Sequence, residues 1–162
     1  MRSISAPFGG LCVSEPGLVR HADARVARVI GWFEALAPGD LPQIGQVYQD
    51  QARFKDPFNE VQGLAAIRRI FSQMFDTLDG PRFTVIDAVA EGDDAFLTWN
   101  FDFRTRGAGG RAMTIHGASH LRFGADGRVA LHRDYWDVAE ELYEKLPLLG
   151  TLMRWLKRRA GG

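Results

Sequence analysis

The side chains of residues 95–105 alternate between apolar and mostly polar, and this pattern constrains the fold more than any other part of the sequence. Successive side chains of a β-strand point to opposite faces, so the pattern predicts a strand with one buried and one solvated face. We assign Leu97, Trp99 and Phe101 to the buried face and the polar residues between them to the outer face. Further strands are predicted over residues 82–90, 112–123 and 128–136, separated by the turn-forming runs 91–94, 107–110 and 125–127.

Helical patterns precede these strands. From residue 23, apolar residues recur every three or four positions until a Pro-Gly pair, which predicts an amphipathic helix. Asp40 is the predicted cap of a second, short helix, and Gly63 precedes a third helix that a Gly-Pro pair ends. Residues 52–57 are predicted to be extended, because the residue before a proline avoids the helical region. This order indicates an α+β fold in which helices cover one face of an antiparallel sheet.

The charge balance and the cysteine content exclude several classes of function. Twenty Lys and Arg residues balance twenty Asp and Glu residues, so the broad attraction behind nonspecific nucleic-acid binding is missing, and we expect no nucleic-acid partner. The single cysteine, Cys12, excludes an internal disulfide and a cysteine-rich zinc site. The 162 residues contain neither a targeting signal nor an apolar run of the roughly 18 residues that span a bilayer. We therefore expect one soluble, cytoplasmic domain.

The two ends of the chain differ from its middle. Residues 1–22 contain several Pro and Gly residues without a period and are predicted to form an irregular arm. The folded domain is predicted over residues 23–146. Residues 147–162 combine basic side chains with an apolar stripe and contain no acidic residue, which predicts a basic amphipathic helix. Packing of that stripe on the sheet or on a partner subunit is the favoured interpretation, and contact with a membrane surface is the alternative.

Four segments of the sequence resemble one known superfamily. They are FEALAPGDL at 33–41, FKDP at 54–57 followed by Gly63 and AIR at 66–68, LRFGADGRV at 121–129, and HRDYWD at 132–137. Over about residues 24–145 the chain resembles the nuclear transport factor 2-like superfamily, which includes ketosteroid isomerases, SnoaL-type polyketide cyclases and limonene epoxide hydrolase. The resemblance implies a cone-shaped fold, with helices on the concave face of a curved antiparallel sheet and a deep pocket between them. It also implies a homodimer and an apolar small-molecule ligand.

The same resemblance selects residues for the pocket. Ser119 and Leu121 are implied to point inward from one strand, and Ala130, His132, Asp134 and Trp136 from the last strand. The aligned position on the first helix is Trp32. The residues predicted to contact substrate are Trp32, Phe54, Leu97, Trp99, Phe101, Ser119 and Trp136.

His132 and Asp134 are the sharpest catalytic candidates. Their spacing places both on one face of a strand, about 6–7 Å apart. If that face is the concave one, both are buried among aromatic side chains and must bond to each other, to Ser119 or to a ligand. Such a pair suits proton transfer or water activation, and a purely structural hydrogen bond is the alternative.

Asp56 is the third catalytic candidate. It precedes a proline and matches the position of the general base in the ketosteroid isomerases, which implies a second base at the mouth of the pocket; a turn residue is the alternative. His116 and His120 are four residues apart on a strand, which separates them by about 13 Å, too far for one metal ion. We expect neither a metal site nor a cofactor.

Two departures from the known enzymes shape the functional prediction. Trp32 and Ser119 stand where the ketosteroid isomerases have a tyrosine and an aspartic acid as oxyanion donors, and Asn100 and Asp102 stand where the epoxide hydrolase has an Arg-x-Asp sequence. A SnoaL-type cyclase mainly requires one acid–base aspartate, which Asp134 can supply, in an apolar cavity. We therefore predict a cofactor-free acid–base enzyme, of the isomerase or polyketide cyclase type, that acts on an apolar carbonyl or polycyclic compound. The alternative is a non-catalytic module of the same fold that binds a hydrophobic ligand or dimerises.

Overall fold

The computed structural model describes residues 21–107 and 109–141 of the chain. Nearly all of the predicted N-terminal arm and the whole of the predicted C-terminal helix lie outside these residues. In chain order, the elements are α1 (Ala24–Ala35), a 3-10 helix (Pro38–Gln46), β1 (Tyr48–Lys55), β2 (Glu60–Gln62), α2 (Leu64–Thr77), β3 (Leu78–Glu91), β4 (Asp94–Thr105), β5 (Ala112–Phe123), β6 (Val129–Tyr135) and α3 (Val138–Glu141).

The six strands form one curved, open sheet in the order β2-β1-β6-β5-β4-β3. The long strands β3 to β6 pair antiparallel with their sequence neighbours, as the alternating pattern predicts. The prediction of a purely antiparallel sheet is incomplete, because β1 pairs with β6 in parallel and the sheet is mixed. A parallel pair requires a long crossover, and here α2 and four strands separate the two partners along the chain. The α+β fold itself is confirmed.

The helices pack on the face of the sheet that carries the alternating apolar side chains. On β4, Leu97, Trp99 and Phe101 are buried as predicted, and Asp102 is exposed on the opposite face. From α1 and α2 the buried side chains are Val26, Val29, Ile30, Phe33, Ile67 and Phe71. Full burial of one such side chain contributes about 1.5–3 kcal/mol, so this interface is the main source of stability.

The second predicted helix forms as a 3-10 helix, and its cap differs from the prediction. Ala37 is the residue before the helix, and Asp40 lies inside the first turn. The Asp40 carboxylate accepts a hydrogen bond from the Ala37 backbone N–H at 2.9 Å. Asp40 therefore satisfies an N-terminal donor from within the helix rather than from its cap position.

Helix α1 begins at a charged cap that also ties it to the sheet. The Asp23 carboxylate accepts a hydrogen bond from the Arg25 backbone N–H at 2.8 Å and forms an ion pair with the Arg25 guanidinium, also at 2.8 Å. Arg25 continues to Asp93 in the turn between β3 and β4, at 2.7 Å. The side-chain and backbone hydrogen bonds from Arg25 hold the pKa of Asp23 at about 2, below its ordinary value of 3.8.

We expect Asp23→Ala to lower the free energy of unfolding by about 1 kcal/mol at pH 7, as losses of N-caps do. A depressed carboxyl pKa stabilises the fold above the unfolded-state pKa, and this contribution is lost as the pH falls through the folded-state pKa. The difference between wild type and variant should therefore shrink between about pH 4 and pH 2, measured by urea denaturation. Asp23→Asn, which keeps the cap acceptor without the charge, should be intermediate at pH 7. A difference that does not change with pH would contradict this account.

Candidate acid–base site

A narrow cavity lies between the helices and the concave face of the sheet. The space, including its mouth, is about 350 Å³, and aromatic rings from α1, α2, β3 and β4 line it together with three polar side chains. Its lining consists of Phe33, Phe71, Phe83, Val85, Leu97 and Trp99, with Ser119, His132 and Asp134 as the polar members. Only small groups fit within the enclosed part without movement of these rings.

The polar members form one hydrogen-bonded group. His132 Nε2 lies 2.8 Å from Asp134 Oδ1, and the Ser119 hydroxyl lies 2.5 Å from the same oxygen. The imidazole is almost completely buried, and 15% of the Asp134 side chain remains accessible. His132 and Asp134 therefore share the concave face, in the strand register that the sequence predicts.

Two further residues extend this group in opposite directions. Trp99 donates its indole N–H to the Ser119 hydroxyl oxygen at 2.8 Å. On the other side, the Tyr48 hydroxyl lies 2.5 Å from His132 Nδ1. Burial, reinforced by the charge of Asp134, raises the pKa of Tyr48 well above its usual value, so the phenol keeps its proton and acts as a donor.

When Asp134 is a carboxylate, its oxygens can only accept hydrogen bonds. Matching each donor in the group to an acceptor then places the protons of Tyr48, His132 and Ser119 in one arrangement. Tyr48 donates to Nδ1 of His132, and the Nε2–H of His132 donates to Asp134. The Ser119 oxygen accepts from Trp99, so the Ser119 proton is also directed at Asp134. Two donor chains thus converge on Oδ1 of Asp134.

The other carboxylate oxygen of Asp134, Oδ2, has no hydrogen-bond partner among the described residues. Within residues 21–107 and 109–141, no side chain donates to Oδ2, and every buried side-chain nitrogen and oxygen has a partner. Oδ2 therefore keeps some accessible surface, and Asp134 is one of the residues that line the cavity. A carboxylate with one fixed and one accessible oxygen can accept a proton from a bound molecule.

The arrangement does not match a nucleophilic serine triad, although it contains Ser, His and Asp. In such a triad, the serine and the aspartate bond to different ring nitrogens, so the imidazole passes a proton between them. Here Asp134 and Ser119 share the Nε2 side of His132, at 2.8 and 3.2 Å, and Tyr48 occupies Nδ1. The contacts favour proton transfer by Asp134 over attack by Ser119.

Comparison with known proteins identifies the family. Residues 29–132 match the profile of the SnoaL-like domain. The chain belongs to the SnoaL-like domain family. No curated protein matches the sequence significantly.

Solved structures show the same fold at low sequence identity. A protein from Catenulispora acidiphila with a ketosteroid isomerase-like fold, in complex with trimethylamine, superposes with a TM-score of 0.64 at 14% identity and covers 75% of this chain and 92% of its own. A provisionally assigned SnoaL-like polyketide cyclase from Shewanella denitrificans gives 0.63 at 16% identity, covering 74% and 97%. AclR from Streptomyces galilaeus, provisionally assigned as a hydroxylase, gives 0.60 at 21% identity, covering 79% and 94%. At these identities the likeness establishes the fold alone.

In this SnoaL-like domain the cavity position of α1 is Phe33 rather than the predicted Trp32. Phe33 lines the cavity, whereas Trp32 is half-buried beside it and packs edge-on against Phe33, Tyr48 and Phe71. Consecutive helical residues differ by about 100° in direction, so a shift of one position moves a side chain off the cavity wall. The contacts of Trp32 do not bring its indole to the Asp134 group.

Asp56 lies in the turn between β1 and β2 and is not part of the cavity lining. Its Oδ1 accepts hydrogen bonds from the backbone N–H groups of Phe58 and Asn59, at 2.7 and 2.6 Å. The Asn59 amide also donates to Oδ2 at 2.9 Å. These contacts are those of the turn residue that the sequence left as the alternative.

The remaining predicted substrate contacts surround the cavity at different depths. Leu97, Trp99 and Ser119 line it directly. Phe54 is buried behind it, with its ring 5.0 Å from the His132 ring, and Phe101 stacks on Phe83 at 4.4 Å. Trp136 is half-buried at the end of β6 and packs edge-on against Phe58.

His116 and His120 lie outside the cavity. They bond across the outer face of the sheet to Asn100 and Asp94, each at 2.6 Å. Among the described residues, no three His, Cys, Asp or Glu side chains are grouped so that they could bind a metal ion. No helix within the described residues is long and apolar enough to cross a bilayer.

Tyr48 is the functional residue that the sequence reasoning missed. The sequence held a hint of its orientation, because Tyr48 is separated by an even number of residues from Ala52 and Phe54, whose side chains point inward on the same strand. The bulge between Tyr48 and Arg53 interrupts the register with β6, and only the parallel pairing with β6 brings Tyr48 to His132. Neither feature follows from a local pattern.

Gly117 is a second missed residue, and it positions Trp99. It faces Trp99 across β4 and β5, and a β-carbon at this position would overlap the indole ring. A glycine within a strand commonly marks such a close approach. The absent side chain gives the ring room to reach Ser119.

We expect Gly117→Ala to displace the Trp99 ring and break its hydrogen bond to Ser119. The overpacking should lower the free energy of unfolding by about 1–3 kcal/mol, measured by urea denaturation, and should change the tryptophan emission spectrum. Gly39→Ala is the matched control, because no atom lies within 4 Å of a β-carbon there. Equal stability of the two variants would show that Trp99 does not depend on Gly117.

Proposed function

We propose that this SnoaL-like domain is an acid–base enzyme that transfers a proton at a carbon atom next to the carbonyl group of an apolar small molecule. Isomerases and polyketide cyclases carry out this class of chemistry. The observation that carries the proposal is the position of Asp134 in the lining of an aromatic cavity, with Oδ1 bonded to two donors and Oδ2 without a partner among the described residues.

The proposed step transfers one proton from a carbon atom of the substrate to Asp134. Oδ2 of Asp134 takes a proton from the α-carbon, and the electron pair of that C–H bond becomes part of an enolate. In an unsaturated ketone, return of the proton to the far carbon of the conjugated dienolate gives an isomer. Attack of the enolate carbon on a second carbonyl group instead closes a ring, and the alkoxide that forms takes the proton back from Asp134. His132 and Ser119 hold the carboxylate so that Oδ2 remains directed at the substrate.

The narrowness of the cavity limits what reacts in it. The reacting carbon and its carbonyl group fit next to Asp134, whereas a polycyclic compound requires movement of rings such as Phe33 and Phe83 or must extend beyond the mouth. A small bicyclic ketone is therefore the most informative first probe. Its flat apolar ring matches the aromatic lining.

The test is the exchange of the α-protons of 2-tetralone for solvent deuterium, followed by NMR. We expect Asp134→Asn to reduce the enzyme-catalysed rate by about 10²- to 10⁴-fold, since an amide cannot accept the proton. Asp102→Asn is the control, because Asp102 lies on the outer face of the same sheet. Circular dichroism checks that both variants fold.

The outcomes separate an enzyme from a passive binding module. Exchange that depends on Asp134 supports the proposal, and equal exchange by wild type and Asp134→Asn removes Asp134 from the mechanism. Binding of 2-tetralone without any exchange would favour the alternative of a non-catalytic module.

A further inference from the structure

The hydroxyl of Tyr48 occupies the ring nitrogen of His132 that does not contact Asp134. Tyr48 is fully buried at the start of β1, and its hydroxyl oxygen lies 2.5 Å from Nδ1. A buried hydroxyl has one proton to place, and among the described residues Nδ1 is the acceptor within its reach. Tyr48 therefore donates to Nδ1, which then cannot carry a proton of its own.

The aromatic neighbours of His132 fix the plane of its ring but not its protonation. Phe33 and Phe54 meet the imidazole edge-on, with ring centres 5.5 and 5.0 Å away. Neither phenyl ring has a polar atom that distinguishes one ring nitrogen from the other. The Tyr48 ring lies nearly parallel to the imidazole, at an angle of 7°, and its hydroxyl at Nδ1 makes that distinction together with the Asp134 carboxylate at Nε2.

The two tautomers of a neutral imidazole differ in what they present to Asp134. With the proton on Nε2, the ring donates to the Asp134 carboxylate at 2.8 Å. With the proton on Nδ1, the Nε2 lone pair would face the carboxylate oxygen and repel it, and the carboxylate would lose one of its two donors. The orientation of the Asp134 carboxylate therefore depends on which nitrogen of His132 carries the proton.

We propose that Tyr48 is a positioning residue that holds His132 in the Nε2–H tautomer, and that it thereby fixes the Asp134 carboxylate for proton abstraction. Tyr48 is not part of the cavity lining and acts through His132. The effect on turnover rests on the function proposed above, whereas the effect on the tautomer does not.

The direct measurement is the protonation of the two ring nitrogens in protein labelled with ¹⁵N-histidine, by long-range ¹H–¹⁵N correlation spectra. The signals of His132 are identified by their loss in His132→Gln. In the wild type we expect the proton on Nε2 alone. A wild-type spectrum with the proton on Nδ1 overturns the proposal without any variant, so the proposal remains testable even if Tyr48→Phe does not fold.

Tyr48→Phe removes the hydroxyl and keeps the ring. We expect a proton on Nδ1 of His132 to appear in this variant, while Asp134 keeps the proton on Nε2. We expect kcat for 2-tetralone exchange to fall about tenfold, the effect of roughly one lost hydrogen bond. KM should stay within about twofold, because Tyr48 does not line the cavity. Tyr135→Phe, on the exposed outer face of β6, should change neither quantity.

A Tyr48→Phe spectrum with the wild-type tautomer overturns the proposal, and a shift that Tyr48→Phe shows and Tyr135→Phe does not supports it. If the wild type does not exchange 2-tetralone, the proposed function fails for this class of ketone. The spectra still decide the role of Tyr48 in that case.

Discussion

Buried polar side chains stabilise a fold only when each of them finds a partner, and this domain places five of them in one connected chain. The chain runs from Tyr48 through His132, Asp134 and Ser119 to Trp99. Leaving one buried donor or acceptor unpaired costs about 1–3 kcal/mol, so loss of one member affects its neighbours. The members come from β1, β6, β5 and β4, and they meet only when these four strands are in register.

This row of hydrogen-bonded side chains explains why the mixed sheet matters for the site. The antiparallel strands β4, β5 and β6 already bring Trp99, Ser119 and Asp134 together, since Leu97 pairs with Ser119 and Ser119 pairs with Asp134. They leave His132 with one free ring nitrogen in an apolar environment. The parallel addition of β1 supplies the tyrosine that satisfies it, and completes both the core and the polar group.

The part of this arrangement that follows local patterns was predictable from the sequence. Period-two alternation fixes the inward face of β4, whereas the inward placement of Ser119, His132 and Asp134 came from the family resemblance. Trp32 came from the resemblance and does not line the cavity, since one helical position changes the direction of a side chain by about 100°. The apolar stripe of α1 already pointed to its neighbour, Phe33, as an inward residue. Tyr48 could not be placed, because its role depends on strand pairing across the length of the domain and on a bulge in that pairing.

The chemistry of the site depends on the order of the contacts rather than on its composition. Serine, histidine and aspartate in another order form a nucleophile with its base, and the fold alone does not choose between these reactions. Here Nδ1 of His132 accepts a hydrogen bond from the Tyr48 hydroxyl, and Nε2 donates to Asp134. Neither ring nitrogen is therefore free to accept a proton from Ser119. The basic atom without a partner among the described residues is then Oδ2 of Asp134, a residue that lines a cavity formed mainly by aromatic rings. A carboxylate held in this way favours the removal of a proton from carbon, because the rings exclude water that would otherwise compete for it.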